Sequence, residues 1–194
     1  MMINRDISYK LSEISKQVPV VTIIGPRQSG KTTLVKECFK EYNYINLEDP
    51  MNRMLAKEDY IGFFETYKEP LIIDEVQRVP EILSAIQVMV DEDKEKNGRF
   101  ILTGSHQPSL QKGIAQSLAG RTSILTLLPL SMNELDKEGI LKDLSTDKLL
   151  ITGFMLELYR KKTRESTVYY RDYLNTYVEK DLREILEIKN LDKF

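Results

Sequence analysis

Short runs of consecutive apolar residues alternate along this chain with longer stretches in which apolar positions recur every three or four residues. The β-branched run Val20-Val21-Thr22-Ile23-Ile24 has no sustained polar face, the mark of a strand covered on both sides in a parallel sheet. Comparable runs predict strands at Tyr44 to Leu47, Leu71 to Asp74, Arg99 to Thr103 and Ser123 to Leu128. The intervening periodic stretches predict helices at Ile3 to Ile14, Lys31 to Tyr42, and Met51 to Tyr67 with a break near Gly62. A further helix opens at Pro80 and sets Ile82, Leu83, Ile86 and Val90 on one face, the spacing of a core-facing stripe. Ser105 to Gly113 reads as loop, with a short helix before Gly120. Strand and helix in strict alternation predict an α/β three-layer sandwich around a mostly parallel five-stranded sheet.

From about Leu130 the pattern turns helical. Val168 to Ile188 carries Tyr169, Tyr173, Tyr177, Leu182, Ile185 and Ile188 at helical spacing. The division this predicts is a core over residues 1–130 and a helical C-terminal segment over 131–194. The stripe either packs back on the core or opens a further domain.

Composition narrows the function classes. Lys and Arg number 28 against 30 Asp and Glu, a net charge of −2, which excludes a purely electrostatic coat on nucleic acid. The densest basic cluster, Arg160-Lys161-Lys162-Thr163-Arg164, reads as a solvated helix flank, with contact to nucleic acid as the alternative. No apolar run approaches the roughly 18 residues of a membrane span, so no membrane partner is expected. The N-terminus lacks the apolar stretch of a secretory signal, and the single cysteine, Cys38, has no partner for an internal disulfide; both point to the cytoplasm. One histidine, His106, with no companion ligand nearby is a poor zinc site.

Gly25-Pro26-Arg27-Gln28-Ser29-Gly30-Lys31-Thr32 satisfies G-x-x-x-x-G-K-[ST] at every constrained position, with a strand feeding it and a helix leaving it. Such a loop bends so that successive backbone N–H groups face phosphate oxygens, and the following helix offers its positive end to the same anion. The whole loop through Thr33 is therefore a candidate nucleotide cradle. Lys31 supplies a point charge for the β- and γ-phosphates and the Thr32 hydroxyl a ligand for Mg²⁺. Arg27 and Gln28, at the variable positions, are within reach of a nucleotide, with Arg27 read as solvent-exposed.

The strand Leu71-Ile72-Ile73-Asp74 runs straight into Glu75. Ligands of parallel α/β sheets gather at the carboxyl ends of strands, which places these acids with the loop. Asp74 is the candidate second holder of Mg²⁺, and Glu75 the base that activates a water for hydrolysis. A water-activating acid and the lack of an Asn-Lys-x-Asp guanine reader in the sequence favour ATP hydrolysis. The third strand ends in Thr103-Gly104-Ser105; Thr103 or Ser105 can meet the γ-phosphate or the water, with Ser105 preferred at the tip. Arg121, in Leu118-Ala119-Gly120-Arg121, is either a charge-neutralising arginine, supplied to a neighbouring subunit of a homo-oligomer in some systems, or a salt-bridged structural residue.

Taken together with Leu71-Ile72-Ile73-Asp74-Glu75-Val76-Gln77, Leu102-Thr103-Gly104-Ser105 and Leu128-Pro129-Leu130-Ser131, the chain resembles prokaryotic AAA+ superfamily ATPases whose ATPase core precedes a C-terminal domain of unknown function. The resemblance runs from about residue 4 to the end and implies a P-loop NTPase fold. It also implies ATP and Mg²⁺ as cofactors, with Lys31, Thr32, Asp74 and Glu75 in the Walker positions and Ser105 as sensor 1. Tyr170 to Arg183 resembles the opening of that C-terminal domain, so the chain is expected to hold only its beginning, as a truncation or a split gene. One departure is Thr152-Gly153-Phe154-Met155, where the family usually has Gly-Gly-aromatic-Pro. The expected activity is ATP hydrolysis driving a conformational change. The alternative is a nucleotide-dependent switch for a protein or DNA partner with little hydrolysis.

Overall fold

The computed structural model describes residues 3–105, 107–160 and 164–178. The chain divides into two compact units, one of Arg5–Pro26 with Gly30–Leu128, the other of Met1–Asn4, Arg27–Ser29 and Pro129–Phe194.

In the larger unit the elements follow in the order α1 (Ile7–Ser15), β1 (Val20–Gly25), α2 (Lys31–Cys38), β2 (Asn43–Asn46), α3 (Pro50–Glu58), α4 (Tyr60–Thr66), β3 (Leu71–Asp74), α5 (Ile82–Glu92), β4 (Phe100–Ser105), α6 (Pro108–Ser117) and β5 (Thr122–Thr126). The five strands form one sheet in the order β2-β3-β4-β1-β5, and every pairing is parallel. Strand alternation sorts the core into two faces. Val20, Ile24, Leu71, Ile73, Phe100 and Leu102 pack with the α5 stripe Ile82, Leu83, Ile86 and Val90. Val21, Ile23, Ile72 and Ile101 pack on the other side with Leu11 of α1 and Leu34 and Val35 of α2. This is the P-loop NTPase sandwich expected from the sequence.

Two departures from expectation have a clear local cause. The Met51–Tyr67 stretch breaks at Asp59, not Gly62, because the Asp59 carboxylate caps a new helix by accepting from the Gly62 N–H at 2.9 Å; Gly62 lies inside α4. Ser105 to Gly113 is not loop: β4 runs on to Ser105, and Pro108, at the start of α6, opens a helix that extends to Ser117, since proline loses no intrahelical bond there.

The amino end of the sheet is fastened by an enclosed ion pair. Arg99 donates from Nε and Nη2 to both Glu69 oxygens at 2.6 Å and from Nη1 to the Met89 carbonyl at 2.6 Å. The two side chains are only 7% and 13% exposed. Burial acts to raise the Glu69 pKa, but the Arg99 bonds and charge, with Lys96, hold it below the ordinary carboxylate range. A depressed carboxylate stabilises above its unfolded pKa and stops doing so as pH falls through the folded value. Arg99→Ala strands the glutamate, so the expected loss is about 3 kcal/mol, read as a lower urea midpoint at pH 7. The difference from wild type should shrink below about pH 4.

The smaller unit holds α7 (Met132–Lys137), α8 (Thr146–Thr152), α9 (Leu156–Arg160) and α10 (Ser166–Tyr173), followed by a π-helical turn at Leu174–Val178. Its core joins Ile3, Leu130, Leu135, Met155, Leu158, Tyr159 and Tyr169. Ser131 and Glu134 form a reciprocal capping box on α7. The departure at Thr152–Met155 keeps a glycine turn: Gly153 has φ 64° and ψ −154°, a region open essentially to glycine alone. A Cβ there would stand 2.3 Å from the Tyr170 hydroxyl, which donates to the Thr152 carbonyl at 2.9 Å. The predicted stripe is described as far as Tyr173, with Tyr169 buried. The side chain of Tyr177, and Leu182, Ile185 and Ile188 with it, lie outside the described residues, as do His106 and Lys161 to Thr163.

Candidate nucleotide site

The strand order explains why the candidate residues meet. β4 inserts between β1 and β3, so the ends of three adjacent parallel strands present Gly25, Asp74 and Ser105 at one edge. Register puts Ser105 directly opposite Gly25.

The loop between β1 and α2 needs left-handed backbone twice, at Gln28 (φ 61°) and Gly30 (φ 94°). Glycine adopts it freely; Gln28 is the exception. Lys31 opens α2, is 5% exposed, and donates to the carbonyls of Gly25 at 3.1 Å and Pro26 at 3.0 Å. Thr33 faces outward. Arg27 is half-buried, not solvent-exposed as its variable position suggested. Its backbone carbonyl accepts from the Tyr173 hydroxyl at 3.3 Å.

Asp74 is the electrostatic centre. It is 2% exposed and accepts three hydroxyls: Thr32 Oγ1 and Tyr44 Oη on Oδ2, each at 2.8 Å, and Thr103 Oγ1 on Oδ1. A carboxylate this enclosed is retained because donors satisfy its lone pairs. Burial, then the bond to Asp74, push the Tyr44 phenol above its ordinary pKa, so it stays a donor, and Lys36 Nζ sits 3.5 Å over its ring centroid.

Thr103 also accepts from the Glu75 N–H at 3.2 Å, tying both acids to β4. Its hydroxyl is thereby committed to the acids, while the Ser105 hydroxyl, 3% exposed at the strand tip, lies 3.5 Å from Gln77 Nε2. Glu75 itself is in the left-handed region (φ 59°), and its Oε2 accepts from Gln77 Nε2.

Thr32 Oγ1 and Asp74 Oδ2 are a hydroxyl and a carboxylate oxygen, hard ligands suited to Mg²⁺, which takes one or two protein oxygens and fills its shell with water and phosphate. No group of three or more His, Cys, Asp or Glu among the described residues could hold a metal ion by itself. The donor set thus fits a cation shared with a nucleotide.

Arg121 is not brought to this edge of its own chain. It precedes β5, whose Thr122 pairs with Val20, five residues back along β1 from Gly25 and so about 16 Å away. There it makes a two-point ion pair with Asp91, at 2.7 and 2.8 Å. Arg121 thus lies at the amino end of a parallel sheet, whereas nucleotide-binding groups lie at the carboxyl end, and the salt bridge that the sequence left open for it is formed with Asp91.

Sequence reasoning missed Tyr44 and Gln77. Gln77 was visible two residues after Glu75. Tyr44 had no signal, since nothing local says that β2 lies beside β3.

Comparison with known proteins agrees with this geometry. An uncharacterized protein of Mycobacterium tuberculosis is 30% identical over 190 residues, covering 93% of this chain and 40% of that protein. An uncharacterized protein of Methanocaldococcus jannaschii is 26% identical over 223 residues, covering 98% and 49%. The chain therefore spans less than half the length of the curated relatives it matches. The Walker-type ATPase PABY2304 of Pyrococcus abyssi superposes with a TM-score of 0.57 at 15% identity over 94% of this chain and 75% of that one, a likeness of fold. Residues 17–136 match the family model described as AAA domain, and they span every strand and every residue of the site; the chain belongs to this family of AAA-type P-loop ATPases.

Proposed function

We propose that this chain binds ATP with Mg²⁺ in the Gly25–Thr33 loop and hydrolyses it, and that the cycle drives a conformational change through its helical segment. The observation that carries the reading is the 2.8 Å contact between Thr32 Oγ1 and Asp74 Oδ2, which puts the two candidate Mg²⁺ ligands together beside a buried lysine. Lys31 binds and orients the β- and γ-phosphates. Thr32 and Asp74 hold the cation, which when bound neutralises charge on the phosphate oxygens. Glu75 takes a proton from the attacking water, and Ser105 orients the γ-phosphate or that water. No helix among the described residues is long and apolar enough to cross a membrane.

The switch reading has its own observation. The three central loop residues group with the helical unit, and the Tyr169 hydroxyl donates to Gln28 Oε1 at 2.6 Å. A nucleotide that alters Gln28 therefore reaches α10. Phosphate release by the purified chain, with Mg²⁺ and with or without DNA, separates the readings: steady release supports the ATPase, and binding without release supports the switch. A calorimetric titration flat toward Mg-ATP overturns both.

The same assay tests Arg121 in a homo-oligomer. An arginine supplied by a neighbouring copy makes activity per chain rise with protein concentration, and strict proportionality would count against it.

A further inference from the structure

The left-handed backbone at Glu75 feeds directly into a single 3₁₀ turn, Val76–Arg78. That turn carries the Gln77 side chain back alongside the acid. Gln77 Nε2 donates to Glu75 Oε2 and also lies 3.5 Å from Ser105 Oγ, so one amide spans the candidate base and the strand-tip serine. The carbonyl end of that amide, Oε1, is buried with no hydrogen-bond partner. β4 makes room for it: a Cβ at Gly104 would stand 2.7 Å from Gln77 Oε1 and 2.4 Å from Leu110 Cδ2.

These facts fix which way the amide faces. Turned over, its carbonyl would confront the Glu75 carboxylate, two acceptors in contact with no proton between them. As it stands, the donor end satisfies the carboxylate and the acceptor end goes unpaired, a cost that a side chain kept only for packing need not carry.

We propose that Gln77 is a positioning residue for hydrolysis. It clamps Oε2 of Glu75 beside Ser105 and so presents the other oxygen, Oε1, to the attacking water. The inference rests on the reading of Glu75 as base. It also makes Gln77 and Ser105 parts of one assembly, since a shift of either moves the carboxylate.

The test is Gln77→Leu, with Gln77→Met as a second variant of similar length, in the full chain. Affinity for a fluorescent ATP analogue should stay within twofold and kcat should fall about tenfold, the effect of one lost hydrogen bond to a charged group. In a Glu75→Gln background the same change should alter kcat less than twofold, because residues acting through one another are not additive. The Gln77 side-chain amide resonance gives a readout independent of activity and of any change at 77: it should shift in Glu75→Gln and stay in place in Lys31→Ala.

A wild-type kcat in Gln77→Leu, or a faster one, with Glu75→Gln slow, overturns the role of Gln77 and leaves Glu75 as base. Equal losses in both backgrounds overturn it too, by showing that Gln77 acts on the fold. Full turnover in Glu75→Gln overturns the base and this inference together. Should neither variant at 77 fold, an amide resonance indifferent to Glu75→Gln overturns the proposal.

Discussion

Glu75→Gln should keep Mg-ATP bound at wild-type affinity while turnover falls by roughly 10²–10⁴-fold, the range that general-base catalysis contributes. The two halves of that result have separate causes. Binding survives because Glu75 is absent from the group around Asp74: Thr32, Tyr44 and Thr103 all bond Asp74, while Glu75 gives Thr103 only its backbone N–H. The fold survives because glutamine meets the same left-handed backbone requirement (φ 59°) at a cost like that of glutamate. Chemistry suffers because an amide cannot take a proton from water at neutral pH. Single-turnover phosphate release alongside equilibrium nucleotide binding reads both halves. Turnover within twofold of wild type would remove Glu75 from the mechanism, and a matching loss of affinity would reassign it to binding.

The legible parts of this protein were those in which a local pattern carries its own physics. Runs such as Val20–Ile24 and Leu71–Asp74 became buried parallel strands because an apolar run with no polar face has nowhere to sit but between two helical layers. The loop from Gly25 to Thr32 was readable because its backbone geometry demands glycine and its charge demands lysine. The gaps came from information that is not local. That β4 lies between β1 and β3 follows from the packing of crossover helices, and this order brings Ser105 opposite Gly25, while the parallel pairing of β5 with β1 puts Arg121 at the amino end of the sheet. Tyr44 illustrates the same limit: it reads as one more β-former until β3 is known to be its neighbour. The break at Asp59 was missed for a different reason. Glycine attracts attention as a breaker, but a side chain that accepts an N–H three residues ahead starts a new helix more decisively.

Lys31→Ala should raise the Kd for Mg-ATP by at least tenfold. The ammonium belongs to a residue only 5% exposed and sits within 3.1 Å of two loop carbonyls, Gly25 and Pro26. It is thus already desolvated and aimed at the inner side of the loop, so a phosphate gains a charge-assisted bond without first stripping water from the lysine. Hydrogen bonds to charged groups contribute about 1.5–3 kcal/mol, which converts to roughly 10- to 150-fold in Kd. Arginine should not restore binding, because its planar fork cannot take the place of a compact ammonium at the end of a flexible stem. Differential scanning fluorimetry measures the loss without requiring turnover. A ligand at 100 times its Kd stabilises by about 2.7 kcal/mol, so at that Mg-ATP concentration wild type should show a clear rise in Tm, which a tenfold loss of affinity cuts to about half and a 150-fold loss nearly abolishes. The nucleotide-free Tm should change little, since removing a buried charge offsets the two carbonyl bonds that go with it. A variant that keeps the full nucleotide-induced shift would show that the triphosphate is held elsewhere, and the roles given to Thr32, Asp74 and Glu75 would fail with it.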